Sequence, residues 1–211
     1  MENKDSEEKL NVITLGNSAV GKTSYILKYT ENSFQQVYLS TIGIDFKVKH
    51  FTLPNNKTYK LYFYDTTGQE RFKSIAVNTV KNADGILLMY DITNKTSFDS
   101  IIGWMQSIGK IKGDQFPIIL IGNKLDLENS DAEGEGRQVE KEEGEELAKK
   151  YNISFYETSN KDGINIQEPI VDLVNQILEY KKTIKEKKSE NIRLNKKDLE
   201  KRNDDANSCS C

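Results

Sequence analysis

Short apolar runs alternate with stretches of helical spacing along most of the chain. The apolar runs lie at residues 10–15, 44–53, 59–65, 85–91, 117–122 and 153–156. Helical spacing of apolar residues occurs near residues 22–31, 96–111, 140–151 and 165–183. This alternation predicts an α/β protein with a six-stranded, mostly parallel sheet that helices cover on both faces.

The second and third runs are joined by a connection that is too short for a crossover helix. It is Pro54-Asn55-Asn56-Lys57, a sequence rich in turn-forming residues. Antiparallel strands can be joined by such a turn, whereas parallel strands need about a dozen residues or more. We therefore expect one antiparallel hairpin in the otherwise parallel sheet.

The stretch 96–111 predicts an amphipathic helix. Ser97 is a residue type that caps helix N-termini. One face of the helix carries the apolar residues Phe98, Ile101, Ile102, Met105 and Ile108. Neither Trp104 nor the lone histidine, His50, is assigned a functional role.

Composition divides the chain into three parts. The polar residues 1–9 predict a disordered leader, and the alternating pattern predicts a single domain over residues 10–183. Residues 184–211 lack aromatic side chains and are rich in Lys, Glu and Asn. Such a stretch cannot bury enough apolar surface to order itself, so it predicts a flexible tail whose first part, 184–200, exchanges between helix and coil. The acidic residues 128–138 predict an exposed loop.

Charge and cysteine content narrow the class of protein. The net charge of −3 and the isoelectric point near 5.5 argue against a nucleic-acid partner, which would require a basic face. No apolar run approaches the roughly 20 residues of a membrane span. The two cysteines, Cys209 and Cys211, lie at the end of the chain, so we expect no disulfide framework in the core. This cysteine content is typical of proteins in the reducing cytosol.

The first apolar run is followed by a stretch that fits the phosphate-binding pattern G-x-x-x-x-G-K-[ST]. Its residues are Gly16, Asn17, Ser18, Ala19, Val20, Gly21, Lys22 and Thr23. A glycine-rich turn between a strand and a helix aims several backbone N–H groups at one point, where the helix dipole adds positive potential. Lys22 supplies a charge for the β- and γ-phosphates, and the Thr23 hydroxyl supplies a ligand for Mg²⁺.

A second motif follows the third apolar run and consists of Asp65, Thr66, Thr67, Gly68 and Gln69. A carboxylate at the end of this strand can reach the metal ion. The Gly68 amide can approach a γ-phosphate, and Gln69 can orient an attacking water. These residue types predict hydrolysis of a nucleoside triphosphate.

A third motif, Asn123-Lys124-x-Asp126, follows the fifth run. An Asp carboxylate accepts hydrogen bonds from guanine N1–H and from its 2-amino group, and adenine offers no matching pair of donors. A site built on such pairing rejects the other base by a large factor. Residues 157–161 follow the last run and can close the other side of the base.

Two further classes of protein remain open on these residues. One is a nucleotide-bound module that does not turn over, against which Gln69 and Thr23 argue, although Thr67 leaves some room for it. The other is a P-loop kinase or ATPase, against which Asp126 and the lack of an evident phosphoacceptor lid argue.

With these motifs, the sequence resembles the Ras-like small GTPases and, among them, the Rab family. The Rab-like stretches are residues 42–46 (Ile-Gly-Ile-Asp-Phe), 71–75 (Arg-Phe-Lys-Ser-Ile) and 88–93 (Leu-Met-Tyr-Asp-Ile-Thr). The ending Cys209-Ser210-Cys211 is similar to the double-cysteine prenylation signal of that family. The resemblance implies a P-loop NTPase fold, with a six-stranded sheet that includes one antiparallel edge hairpin and with five helices.

The resemblance also implies a role for each residue of the site. Gln69 positions the catalytic water, and prenyl groups are expected on Cys209 and Cys211. The ligands of Mg²⁺ are Thr23, Thr41 and Asp65. The residues expected to bind GTP are Gly16, Asn17, Ser18, Ala19, Val20, Gly21, Lys22, Thr23, Ser24, Phe34, Tyr38, Thr41, Gly68, Asn123, Lys124, Asp126, Ser159, Asn160 and Lys161.

Partners and location follow from the same resemblance. It implies a guanine nucleotide exchange factor, a GTPase-activating protein, effectors that contact the two switch segments, the prenylation machinery and a dissociation inhibitor. It places the protein on the cytoplasmic face of an intracellular membrane, cycling with the cytosol. Vesicle trafficking is the expected process.

Three positions depart from the usual sequence of the family. Residues 79–82 (Thr-Val-Lys-Asn) stand where Tyr-Tyr-Arg-Gly is usual, which removes aromatic side chains from the expected effector surface. Asn160 stands where alanine is usual, and its backbone amide can still contact the base. Thr67 also replaces an alanine. Its hydroxyl, beside Gly68, can either meet the γ-phosphate or point into the neighbouring loop without effect.

Overall fold

The structure, a computed structural model, describes residues 8–34, 44–66, 78–113, 115–130 and 136–208, with the backbone alone for 44, 188 and 190–208. The strands of the described residues are β1 Glu8–Leu15, β2 Ile44–Thr52, β3 Thr58–Thr66, β4 Gly85–Asp91, β5 Ile118–Asn123 and β6 Ser154–Thr158. Their α-helices are α1 Lys22–Glu31, α2 Lys95–Asp99, α3 Ile101–Lys112, α4 Lys141–Tyr151 and α5 Glu168–Ser208. Each apolar run therefore overlaps a strand.

The sheet has the strand order β2-β3-β1-β4-β5-β6. Strands β2 and β3 are antiparallel, from Ile44 opposite Thr66 to Thr52 opposite Thr58, and the other neighbouring pairs are parallel. The predicted edge hairpin is thus confirmed. Because the direction of winding reverses next to β1, a ligand site is expected beyond the carboxyl end of that strand.

Apolar side chains pack on both faces of the sheet. On one face, Val12 of β1 belongs to a cluster with Tyr25 of α1 and Leu173 of α5. On the other face, Ile13 of β1 belongs to a cluster with Ile101 of α3. Strand β4, near the centre, is buried along its whole length. Burial of each large apolar side chain contributes about 1.5–3 kcal/mol, so the sheet is a firm support for the loops at its edge.

The predicted helix at 96–111 is divided at Ser100 into α2 and α3. The prediction of a Ser97 cap is wrong, because the side chain of Asn94 accepts a hydrogen bond from the Ser97 amide at 3.0 Å and caps α2 instead. The Ser97 hydroxyl accepts from the Asp91 amide at 3.0 Å. Both residues are good caps, and the extended backbone at Asn94 decides between them.

Helix α5 continues well beyond the predicted end of the folded domain. Its backbone is helical to Ser208, although the sequence predicts a flexible tail over residues 184–211. Between Pro169 and Ser208 the chain contains no glycine or further proline, and its abundant Lys, Glu and Leu are good helix formers. The division into leader, domain and tail stays a prediction. Among the described residues, no helix is both long enough and apolar enough to cross a membrane.

Candidate functional site

The predicted binding motifs that fall within the described residues follow strands that end at one edge of the sheet. Strands β1, β3, β4, β5 and β6 run parallel, so their carboxyl ends share that edge. The loop 16–21 follows β1, residues 124–126 follow β5, and residues 159–161 follow β6. Sequence motifs separated by about a hundred residues are thereby brought together.

The loop between β1 and α1 turns at two glycines. Gly16 has φ 138° and Gly21 has φ 98°, values that favour glycine. A Cβ atom on Gly16 would lie 2.1 Å from the carbonyl oxygen of Met89, so the loop passes directly over β4. Gly21 precedes α1, whose first N–H groups have no partner within the helix. The strand, turn and helix that the motif requires are therefore all present.

Lys22 brings a buried cation into this loop. Its side chain is almost fully buried, and Nζ donates to the carbonyls of Gly16 at 3.0 Å and Asn17 at 2.7 Å. Burial lowers the pKa of the Lys22 ammonium from 10.5 to about 8, and the Asp65 carboxylate partly offsets that effect. A bound anion would favour the charged form, so the environment of Lys22 suits phosphate.

A hydroxyl and a carboxylate meet at the start of α1. Thr23 Oγ1 donates to Asp65 Oδ2 at 2.5 Å. Asp65 lies near the end of β3 and is buried. The structure thus places two oxygen atoms that can bind a cation, one from each of two motifs, side by side and close to the phosphate-binding loop.

Asn123 and Lys124 are held by neighbouring strands. Asn123 Nδ2 donates to the Val20 carbonyl at 2.9 Å, and its Oδ1 accepts from Thr158 Oγ1 at 3.1 Å. Lys124 Nζ lies 2.6 Å from Asp91 Oδ2, at the end of β4. The N-K-x-D loop is therefore tied both to the phosphate-binding loop and to the sheet.

Asp126 is oriented by the loop that follows β6. Ser159 Oγ donates to Asp126 Oδ1 at 2.7 Å, and Lys161 Nζ lies 3.9 Å from Asp126 Oδ2. The Ser159 hydroxyl in turn accepts from the Asp162 amide at 3.0 Å. These contacts join the two predicted base-reading loops and fix the direction of the carboxylate.

Sequence reasoning missed a support for the phosphate-binding loop. Asn17 Nδ2 donates to Ser100 Oγ at 2.9 Å, and Trp104 Nε1 donates to Asn17 Oδ1 at 3.1 Å. Trp104, to which no site role was assigned from the sequence, therefore contacts the loop from α3. Only the amphipathic spacing of α3 hinted that its buried face would meet the sheet edge.

Arg137 is a second residue that sequence reasoning missed. Its guanidinium donates to both carboxylate oxygens of Glu157, at 2.6 and 2.9 Å, and to Glu128 Oε1. These hydrogen bonds raise the pKa of the Arg137 guanidinium, and the largest effect comes from those to Glu157. Asn165 Nδ2 also donates to the Glu157 carbonyl at 2.8 Å. The polar segment expected to be an exposed loop thus ends in a contact that braces β6 just before the base-side loop.

Some predicted residues are not placed with the others. Tyr38, Thr41, Thr67, Gly68 and Gln69, with Cys209 and Cys211, lie outside the described residues, so their roles stay predictions. Ser24 lies in the first turn of α1, and the side chain of Phe34, beyond that helix, is exposed.

An open sheet with a glycine-rich loop between its first strand and helix, and with binding loops at the carboxyl ends of its strands, defines a P-loop nucleotide-binding protein. The sequence profile of the Ras family matches residues 11–179. The chain therefore belongs to the Ras family and is a small GTPase, which binds guanine nucleotides and hydrolyses GTP.

Three relatives each align with most of the chain. Ras-related protein Rab-3C of Bos taurus is 39% identical over 179 residues, covering 82% of this chain and 76% of the relative. Ras-related protein Rab-3A of Homo sapiens is 40% identical over 168 residues, covering 80% and 73%. Ras-related protein Rab-3C of Mus musculus is 40% identical over 179 residues, covering 82% and 76%. The resemblance to the Rab family is confirmed.

Proposed function

We propose that this GTPase is a Rab-like molecular switch in intracellular vesicle trafficking, held on membranes by C-terminal prenyl groups. The observation that carries the proposal is the roughly 40% identity to Rab-3 proteins over about 80% of the chain. The ending Cys209-Ser210-Cys211, which lies outside the described residues, supplies two thiols for lipid attachment.

GTP lies across the sheet edge in this proposal. The N–H groups of residues 16–23 and the ammonium of Lys22 hold its phosphates, and Asp126 accepts hydrogen bonds from the guanine. The hydrogen bond from Asn123 to Val20 supports this placement, because it joins the base side of the site to the phosphate side. Phe34 and the aliphatic part of Lys124 would cover the base and sugar.

The side-chain oxygens of Thr23, in the first turn of α1, and of Asp65, near the end of β3, fit Mg²⁺. Thr23 Oγ1 and Asp65 Oδ2 lie 2.5 Å apart, and hydroxyl and carboxylate oxygens are ligands that this hard cation prefers. Thr23 and Asp65 would hold the ion, together with Thr41 from outside the described residues. When bound, the ion neutralises charge on the β- and γ-phosphates.

Hydrolysis is the step that resets the switch. A water attacks the γ-phosphorus and loses a proton, the bond from that phosphorus to the oxygen shared with the β-phosphate breaks, and GDP, inorganic phosphate and a proton result. Gln69 orients the water, while Lys22 stabilises charge on the phosphate oxygens. No activating arginine is assigned within the chain, so we expect unaided hydrolysis to be slow, on the order of 10⁻⁴ per second. An activating protein would accelerate it.

Loss of the γ-phosphate would change the surface that partners recognise. Thr41 and Gly68 are expected to contact that phosphate, and its departure releases segments 35–45 and 66–80. Effectors would bind the GTP form, and an exchange factor would open the GDP form. The prenylation machinery and a dissociation inhibitor would act on the lipidated tail.

Nucleotide competition and phosphate release test the proposal together. We expect a fluorescent GDP bound to the purified protein to be displaced by GTP and not by ATP at the same concentration. Phosphate should then accumulate slowly, with one phosphate released per GTP consumed. Displacement by ATP would indicate a kinase or ATPase, and binding of GTP without phosphate release would indicate a module that does not turn over.

Replacing both terminal cysteines should abolish membrane attachment. We expect Cys209→Ser with Cys211→Ser to move a tagged chain from intracellular membranes to the cytosol, because stable anchoring requires two hydrophobic signals. Fluorescence imaging and membrane fractionation measure the change, and Ser210→Ala is the matched control, since it leaves both thiols in place. If the double variant stayed on membranes, attachment would not depend on these residues.

A further inference from the structure

Asn160 has a buried side chain for which the proposed roles offer no task. Only its backbone amide is expected to meet the base. Yet the residue is 3% exposed, and its Nδ2 donates to the carbonyl of Gly21 at 2.9 Å. Within the described residues, its Oδ1 is buried without a hydrogen-bond partner. A half-satisfied buried amide lowers stability, a cost that the expected role of the Asn160 backbone does not explain.

The contact of Asn160 matches that of another asparagine. Asn123 Nδ2 donates to the Val20 carbonyl at 2.9 Å. Two side-chain amides, one at the end of β5 and one after β6, therefore donate hydrogen bonds to two consecutive backbone carbonyls. A Cβ atom on Gly21 would lie 2.2 Å from the Asn123 amide nitrogen and 2.8 Å from that of Asn160. Both side chains therefore press directly against the phosphate-binding loop.

Because peptide groups are planar, these two contacts also determine the direction of two backbone N–H groups in the loop. In a trans peptide the N–H group points opposite to the C=O group, and no peptide bond among the described residues is cis. The Val20 carbonyl shares a peptide with the Gly21 N–H, and the Gly21 carbonyl shares one with the Lys22 N–H. Because the side-chain amides of Asn123 and Asn160 hold the two carbonyls, the backbone N–H groups of Gly21 and Lys22 point away from these two side chains.

The Gly21 carbonyl is also part of helix α1. It accepts a hydrogen bond from the Tyr25 amide at 2.9 Å, besides the one from Asn160. The first peptide of the helix is therefore fixed from within and from outside. The Lys22 N–H, on the other side of that peptide, has no intrahelical acceptor because it lies in the first turn.

We propose that Asn160 is a positioning residue that aims the Lys22 backbone N–H at the phosphates of the bound nucleotide and so prolongs the residence of GDP and GTP. The inference rests on the proposed nucleotide site. Because Asn160 acts through the phosphate side, its side chain affects how long a nucleotide stays and leaves the choice of base to Asp126.

Release of a fluorescent GDP, chased by excess unlabelled GDP, tests this role in the full-length protein with Mg²⁺ present. We expect Asn160→Ala to release GDP about five- to tenfold faster than wild type, which is the effect of losing one net hydrogen bond. Release of fluorescent inosine diphosphate, whose base lacks the 2-amino group of guanine, should accelerate by the same factor, since the substitution leaves base recognition by Asp126 unchanged. Asn129→Ala is the matched control, because Asn129 is an exposed asparagine in the neighbouring loop.

Two further readouts separate positioning from packing. Asn160→Asp keeps the shape of the side chain and removes the donor, so we expect release at least as fast as from Asn160→Ala. In the GDP-bound protein, the amide proton of Lys22 should shift in both variants, as its hydrogen bond to phosphate weakens. Wild-type release from Asn160→Asp, or an unchanged Lys22 resonance, would overturn the inference.

Failure of the underlying site gives a different result. If wild-type protein did not retain the fluorescent GDP, the proposed nucleotide site and this inference would both fall. If wild type retained it and Asn160→Ala released it at the wild-type rate, only the role of Asn160 would be overturned.

Discussion

Asp126→Asn is expected to weaken GDP binding by roughly 10³-fold. In the proposed site the carboxylate accepts two charge-assisted hydrogen bonds from guanine, each contributing about 1.5–3 kcal/mol. Loss of one bond and of the charge on the other removes about 4 kcal/mol, which is roughly three decades in affinity. Ser159 Oγ donates to Asp126 Oδ1 at 2.7 Å, so the amide oxygen of the variant would keep that contact.

The same geometry predicts which base the variant would prefer. If the amide oxygen keeps the contact with Ser159, the NH₂ group takes the place of Oδ2, which we expect to face the 2-position of the base in the proposed site. Guanine has an amino group there and would repel it, whereas xanthine has an oxygen that accepts. We therefore expect Asp126→Asn to bind xanthosine diphosphate more tightly than GDP, in a competition assay against a fluorescent nucleotide.

A control for this prediction lies in the same loop cluster. Asp162→Asn makes the same chemical change at an exposed side chain, while the Asp162 contact to Ser159 is made by its backbone. We expect wild-type affinity for GDP in that variant. An Asp126→Asn protein that still preferred GDP would show that this carboxylate does not read the base.

The arrangement of the site could be predicted because its motifs follow strands. Each of the residues Gly16, Asp65, Asn123 and Ser159 lies at or near the carboxyl end of a strand, and parallel strands bring those ends to one edge. Periodicity predicted the strands, and the short connection at residues 54–57 predicted the one antiparallel pair. Local chemistry was sufficient for this part of the fold.

Contacts between distant elements could not be predicted in that way. The hydrogen bond from Trp104 to Asn17 joins residues 87 positions apart and depends on where α3 lies relative to the loop that follows β1. The pair of Arg137 and Glu157 depends equally on the path of the connection after β5. A short-range pattern records which residues are apolar or charged, and it does not record which loop will lie beside them.

Prediction from the sequence was also limited where two residues or two structures suit the same stretch of chain equally well. Asn94 and Ser97 are both good N-caps, and only the backbone conformation at residue 94 selects one. The residues after 183 are both too polar to build a core and well suited to a helix, so their composition alone supports either a tail or a continued helix.

Gly16→Ala is expected to reduce the free energy of unfolding by about 4 kcal/mol, near the upper end for single substitutions. Its Cβ atom would lie 2.1 Å from the Met89 carbonyl oxygen, which belongs to a strand buried along its whole length and cannot easily move. For a domain of this size the melting temperature should fall by roughly 10 °C. Thermal unfolding at saturating GDP measures the loss, and the displaced loop should also release GDP faster.

Gly113→Ala separates the two causes of that loss. Gly113, after α3, also has a positive φ of 79°, but a Cβ atom there would meet none of the described residues within 4 Å. It should therefore cost only the backbone strain, about 2 kcal/mol, and leave GDP release unchanged. The difference between the two variants isolates the close passage of the phosphate-binding loop over β4. If both variants melted at the same temperature, that passage would not be rigid, and Gly16 would be required only for its backbone conformation.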